Sequence, residues 1–243
     1  FSSAAAPTVT SYIYKITDSA SASGLELPSG WALKGVYQWT GNIDTDWGTA
    51  GNWLSGEVPG TDAKVIIPDG LTNYPVLSAD VSVKSVSLAS GTSSPSINTA
   101  GYAINLTGTS TISGSITGNG KIYVKNSASD KITITLESNP ALADFYAAGN
   151  VDVEINTAVS SIGHFQMGAT VPDIPANFTL KLTGTGSLSC PDIDIDTAGA
   201  DADVVGTLEI DLPVTVSNKF TSQVENYPVI NNGTIEITAG SGG

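Results

Sequence analysis

From Val65 to Ile237 the apolar residues come in short bursts at every second position. Val81 and Val83, Val86 and Leu88, Ile104 and Leu106, and Ile122 and Val124 follow this rule. So do Ile132, Ile134 and Leu136, then Val151, Val153 and Ile155, Leu180 and Leu182, Ile193 and Ile195, Leu208 and Ile210, and Ile235 and Ile237. A period of two puts alternate side chains on opposite faces of an extended chain, so each burst predicts a half-buried strand. Gly, Asn, Ser and Thr separate the bursts and supply turns. Helical spacing is nearly absent. The one segment that carries it is Asn139–Ala148, rich in Ala, with Pro140 at its start and Gly149 after it as a stop. It predicts one short helix or turn.

A loose repeat runs through these strands. Ile116–Val124, Leu182–Cys190, Val205–Ile210 and Asn232–Ile237 each place a Gly or Gly-Thr turn before a strand. The spacing is 22 residues from Gly184 to Gly206 and 27 from Gly206 to Gly233. Repeats of this length, built of strand and turn, predict stacked coils of a right-handed parallel β-solenoid. Coils of roughly 22 residues between Val65 and Thr238 give on the order of eight rungs, none stable alone. The alternative is a pair of β-sandwiches. That fold joins its strands by tight hairpins, and only Asn119-Gly120 and Asn232-Gly233 offer the favoured Asn-Gly turn.

The strands follow a stretch of different character, Trp39–Pro68. Three of the four tryptophans fall in it, at Trp39, Trp47 and Trp53, punctuated by Gly and Pro and closed by the apolar triplet Val65-Ile66-Ile67. The pattern W-x-G, W, A-x-N-W, G-x-V-P and an apolar triplet is carried by Trp39, Gly41, Trp47, Ala50, Asn52, Trp53, Gly56, Val58, Pro59 and Ile66. It resembles the module that opens many bacterial secreted β-helix proteins, among them autotransporter-type passengers and large surface proteins of Bacteroidetes and spirochaetes. The resemblance covers about thirty residues. It implies a secreted or surface-displayed β-helix and attaches no enzymatic activity to the motif. On this reading Trp39, Trp47, Asn52, Trp53 and Pro59 form a structural cap whose indoles block the open end of the solenoid. The competing use of the indoles is stacking on sugars.

Ahead of the cap lies an isolated β-rich run with Val9, Tyr12, Ile13, Tyr14 and Ile16, followed by a Ser/Ala-rich tether from Asp18 to Gly24. Such an arm fits an edge strand on its own solenoid, or a strand donated to a neighbouring copy. The expected organisation is therefore an arm and tether over 1–24, a Trp-rich cap over 25–68 and a solenoid body over 69–243.

Charge narrows the partners. Lys+Arg is 9 against Asp+Glu 23, a net −14, and all nine basic residues are Lys. Nucleic acid and anionic lipid are poor partners for such a chain, because both need clustered cations. Divalent cations and neutral glycans remain. Only 13% of residues are charged, which suits strands with uncharged polar outer faces in an extracellular protein. The single Cys190 cannot form an intrachain disulfide, and no apolar run reaches the 18 residues of a membrane-spanning helix. Phe1–Ala6 has no basic stretch and reads as a mature N-terminus.

Candidate chemistry is sparse. His164, the one histidine, has no nucleophile-elbow pattern beside it and reads as a loop or strand-edge residue. Asn42, Asp44 and Asp46 alternate like the start of a calcium loop, but Trp47 stands where the loop needs Gly. They are expected to cap turns. In Asp192-Ile-Asp-Ile-Asp196 the isoleucines face the core and Asp192, Asp194 and Asp196 face out, with Asp201 and Asp203 just after. If a neighbouring coil brings Glu209 and Asp211, or Asp152 and Glu154, alongside, the crowded carboxylates would take calcium. A polysaccharide lyase would need a basic residue, often Arg; the chain has no Arg and its lysines look scattered. The expected function is a non-enzymatic extracellular structural protein, displayed on a cell surface or assembled from copies of itself into a filament or sheath. The alternatives are an adhesin that recognises a glycan or host surface, and a polysaccharide-degrading enzyme.

Overall fold

The computed structural model describes residues 35–126, 128, 130–138, 140–159, 162–168, 177–196, 205–222 and 229–238. The arm carrying Val9, Tyr12, Ile13, Tyr14 and Ile16, and the acids Asp201 and Asp203, lie outside the described residues.

Strands are numbered along the chain. One nine-stranded sheet stacks, in spatial order, β1 (Val36–Gln38), β2 (Lys64–Ile67), β4 (Ser85–Leu88), β7 (Ser110–Ile112), β9 (Ile132–Leu136), β11 (Val151–Ile155), β14 (Asn177–Thr183), β16 (Val205–Ile210) and β18 (Val229–Asn231). A ten-stranded sheet stacks β3 (Val81–Val83), β6 (Ala103–Leu106), β8 (Ser115–Asn126), β10 (Leu142–Gly149), β13 (His164–Gly168), β15 (Ser187–Asp196), β17 (Pro213–Ser222) and β19 (Thr234–Ile237). The short strands β5 (Ser96–Asn98) and β12 (Ala158–Val159) pair with β8 and β15. Every pairing between these strands is parallel. The chain therefore winds as a parallel β-solenoid. From β2 onward the nine-stranded sheet holds eight strands, one per rung.

A sandwich pair is ruled out, because hairpin-linked strands are antiparallel. The two Asn-Gly pairs serve other ends. Asn119-Gly120 lies inside the continuous strand β8, and Asn232-Gly233 turns the corner from β18 in one sheet to β19 in the other. Register shifts between Leu142 and Asp144 and between Cys190 and Asp192 divide β10 and β15 into two runs each. A complete coil thus carries three straight runs: one in the nine-stranded sheet and two in the ten-stranded one.

The alternation becomes a set of ladders. Ile67, Leu88, Ile112, Leu136 and Ile155 sit in register on successive strands and are all 0–1% exposed. Across the coil, Ile104, Ile122, Phe145, Phe165 and Ile193 form a second ladder, also 0–1% exposed. Burying each such side chain contributes about 1.5–3 kcal/mol against its exposed state. Phe145 and Phe165 stack with centroids 5.5 Å apart and planes 7° from parallel.

One expectation is overturned. Residues 142–149 form strand β10, with no helix. Leu142, Phe145 and Ala147 pair in register with Ile116, Ile122 and Val124 of β8, and all three are buried. The pull of that core outweighs the helix preference of Ala, which is worth only tenths of a kcal/mol per residue. Gly149 does act as a stop, but of a strand. Its φ is +87°, and a Cβ there would collide with the Asn126 carbonyl.

Coil length is uneven. Ile132 pairs with Val151, 19 positions on, whereas Val151 pairs with Leu180, 29 positions on. The ladders stay in register across both coils.

Candidate functional site

The tryptophan module packs onto the end of the common core at the first coil. Trp39, Trp47 and Trp53 are 0%, 2% and 2% exposed. Trp53 meets Trp39 edge-on at 5.0 Å and Trp47 at 4.8 Å. The Trp39 indole N–H donates to the Asn73 carbonyl at 2.8 Å, and that of Trp53 to the Trp47 carbonyl at 2.9 Å. Buried in this way, the indole faces are closed to a sugar. Asn52 is wholly buried and fully used. Its side-chain oxygen accepts from the amides of Ile43 and Asp44, and its amide nitrogen donates to Asp44 Oδ1 and the Asp46 carbonyl. Asp44 and Asp46 cap turns, accepting from the amides of Asp46 and Gly48. The Ser78 hydroxyl and the Gly48 amide hold the Asp46 carboxyl below its ordinary range. Pro59 lines a cleft of about 410 Å³ with Trp47, Val58 and the start of β3.

The module joins the coils through backbone. Leu54 donates to the Gln38 carbonyl, an antiparallel bridge links Trp39 to Trp53, and Asp46 pairs with Val76, which pairs with Asn98. The outer edge of β1 is therefore partly covered. At the other end of the sheets, β18 and β19 each pair on one side only among the described residues. Ile230 and Ile237 there are 46% and 54% exposed.

The acids do not gather as the run Asp192–Asp196 suggested. Asp192 and Asp194 face outward from β15 on the ten-stranded sheet, beside the buried Ile193; the side chain of Asp196 is outside the described residues. Glu209, Asp211, Asp152 and Glu154 belong to the nine-stranded sheet or its edge, on another side of the coil. Among the described residues those four acids therefore do not stand beside Asp192 and Asp194. Instead, Asp192 Oδ1 accepts from the Asn218 side chain at 2.7 Å. Asp194 accepts from Thr221 and lies 3.0 Å from His164 Nε2. No group of three or more His, Cys, Asp or Glu among the described residues could hold a metal. On the other sheet Lys181 bridges Glu209 at 3.0 Å and Asp211 at 2.5 Å, which lowers the Asp211 carboxyl and raises the Lys181 ammonium. Cys190 is a buried core residue, its thiol pushed up to about 12 by burial and so unreactive at neutral pH.

The organised chemistry lies where no motif pointed. On the second run of the ten-stranded sheet the outward side chains Tyr123, Tyr146, His164 and Asp194 touch in sequence across four rungs. The Tyr123 and Tyr146 rings are 5.0 Å apart, and Tyr146 meets His164 edge-on at 5.9 Å. Lys121 Nζ stands 5.0 Å from the centre of the Tyr146 ring, and Lys125 Nζ 5.2 Å from that of Tyr123. The nearby phenols raise the Lys121 ammonium further. The sequence signal for this group was present but unaligned: Lys-x-Tyr-x-Lys in one burst, Asp-x-Tyr in the next, His-x-Gln in the third.

No family model, curated protein or solved structure matches the chain. The functional reading therefore rests on the molecule itself.

Proposed function

We propose that this protein is a non-enzymatic extracellular structural solenoid, displayed on a surface or assembled from copies of itself. One observation carries the reading: the two ends of the coil stack are treated differently. The first coil is filled by three buried indoles, while the last carries half-exposed Ile230 and Ile237 on strands with an unpaired side among the described residues. Unpaired strand edges with apolar side chains are templates for another chain. The resemblance of Trp39–Pro68 to the opening of bacterial secreted β-helix proteins supports the extracellular setting, as does the 13% charged composition. The arm at Val9–Ile16 is the segment we assign to strand donation, by addition to a free edge of a neighbour.

The test is deletion of residues 1–20, followed by sedimentation and electron microscopy. Loss of fibres or higher oligomers, with the monomer still folded, supports donation. Unchanged assembly eliminates it.

The adhesin reading is favoured by a separate observation, the outward run of Tyr123 and Tyr146 well away from the tryptophan module.

A further inference from the structure

We infer that the outward face of β8 and β10 is a binding platform for an anionic saccharide, one carrying carboxylate or sulfate groups. The inference does not depend on self-assembly.

The chain has 23 acids for nine lysines, and Lys131 and Lys181 pair with carboxylates, the first with Asp152 at 3.0 Å. Lys121 and Lys125 form no ion pair among the described residues, and stand over tyrosine rings instead. They project from the same face of β8 with Tyr123 between them, about 13 Å apart at the ordinary strand rise.

On the early side the in-register side chains are small and uncharged, and the Asp80 carboxylate there accepts from the Ala103 amide. In register with Lys121 and Tyr123 on β6 are Ala103 and Asn105, and in register with Asn105 on β3 is Ser82. On the late side Asp144 is in register with Lys121, and beyond it stand His164, Asp192 and Asp194. Along this face both lysines stand on β8, Tyr146 shares β10 with Asp144, and Asp192 and Asp194 lie further toward the late coils. A protein of net −14 repels polyanions in general, so a local pair of cations on phenol rings sets where an anion can land.

The chemistry fits a sugar acid better than a simple anion. A pyranose offers axial C–H groups to an aromatic edge or face and hydroxyls to phenols, while its carboxylate or sulfate meets an ammonium. Two ammonium groups separated by aromatic rings call for a ligand with repeated anionic groups and apolar ring faces between them. Because Tyr123, Tyr146 and the lysines are held by a regular parallel register, little ordering is left to be done on binding.

Packing alone would explain touching rings on adjacent rungs, so the test must separate stacking from recognition. The full chain is titrated at low salt with polygalacturonate, dextran sulfate and neutral dextran. Binding to either polyanion, weakened by added salt and absent with neutral dextran, is expected; the two polyanions tell carboxylate from sulfate. Lys121→Gln with Lys125→Gln should reduce the affinity at least about tenfold while leaving the melting temperature unchanged. A Lys131→Gln control should leave binding as it was. Failure of both polyanions to bind, equal binding of neutral dextran, or full affinity in the double Lys variant overturns the platform.

Discussion

The first and last coils of the solenoid solve the same problem in opposite ways. At the start, a parallel stack would expose the ends of its ladders; here Trp39, Trp47 and Trp53 fill that space, and Asn52 uses all four of its hydrogen bonds to fix the loop around them. At the finish Ile237, in register with the buried Val216, remains half in solvent. The contrast teaches that capping is a property of non-repeating sequence. The repeating part can only continue or stop.

The largest effect should come from breaking the closed end. Trp39→Ala is expected to cost about 3–5 kcal/mol, whereas Ile237→Ala at the open end should cost under about 1 kcal/mol, both read from denaturant melts. Comparable losses at the two positions would erase the contrast. Next is Asn52→Ala, which strands the amides of Ile43 and Asp44 without a partner. Its expected cost is about 2–4 kcal/mol, and Asn52→Asp should recover only the accepting half of the network. A melt unchanged by Asn52→Ala would mean the loop is held by the indoles alone.

The smallest effect is in acid. Asp46 at the closed end and Asp211 toward the open end both have carboxyls lowered in the folded chain, the first by Ser78 and Gly48, the second by Lys181 and Asn232. A lowered folded value means the unfolded chain takes up protons first. The contribution is present above the unfolded value near 4 and is lost as pH falls through the folded one. Melting temperature should therefore decline modestly below about pH 4, and Asp46→Asn with Asp211→Asn should flatten that decline. A decline equally steep in the double variant would place the acid response elsewhere.

Much of this architecture was legible in the chain. Alternation at Val151, Val153 and Ile155 predicted a half-buried strand because burial in a ladder and a period of two are the same physical fact. The eight rungs followed from turn spacing. What escaped was whatever depends on register between coils. Offsets of 19 and 29 positions between successive rungs cannot be read from one sequence, so nothing showed that Lys121 would stand over Tyr146 of the next rung. The same blindness left open whether Glu209 and Asp211 stand beside Asp194; Glu209 belongs to the other sheet and Asp211 follows its strand. At Asn139–Ala148 a local helix preference was read where a long-range pairing with β8 decided the outcome.

The uneven coils carry one more implication. From Val151 to Leu180 the coil is ten positions longer than the one before it, yet the two residues pair in register. A coil that takes ten extra positions without disturbing the treads on either side tolerates added length between them. Foreign loops spliced between strands would ride on the staircase rather than rebuild it, which makes the scaffold open to new surface at little structural risk.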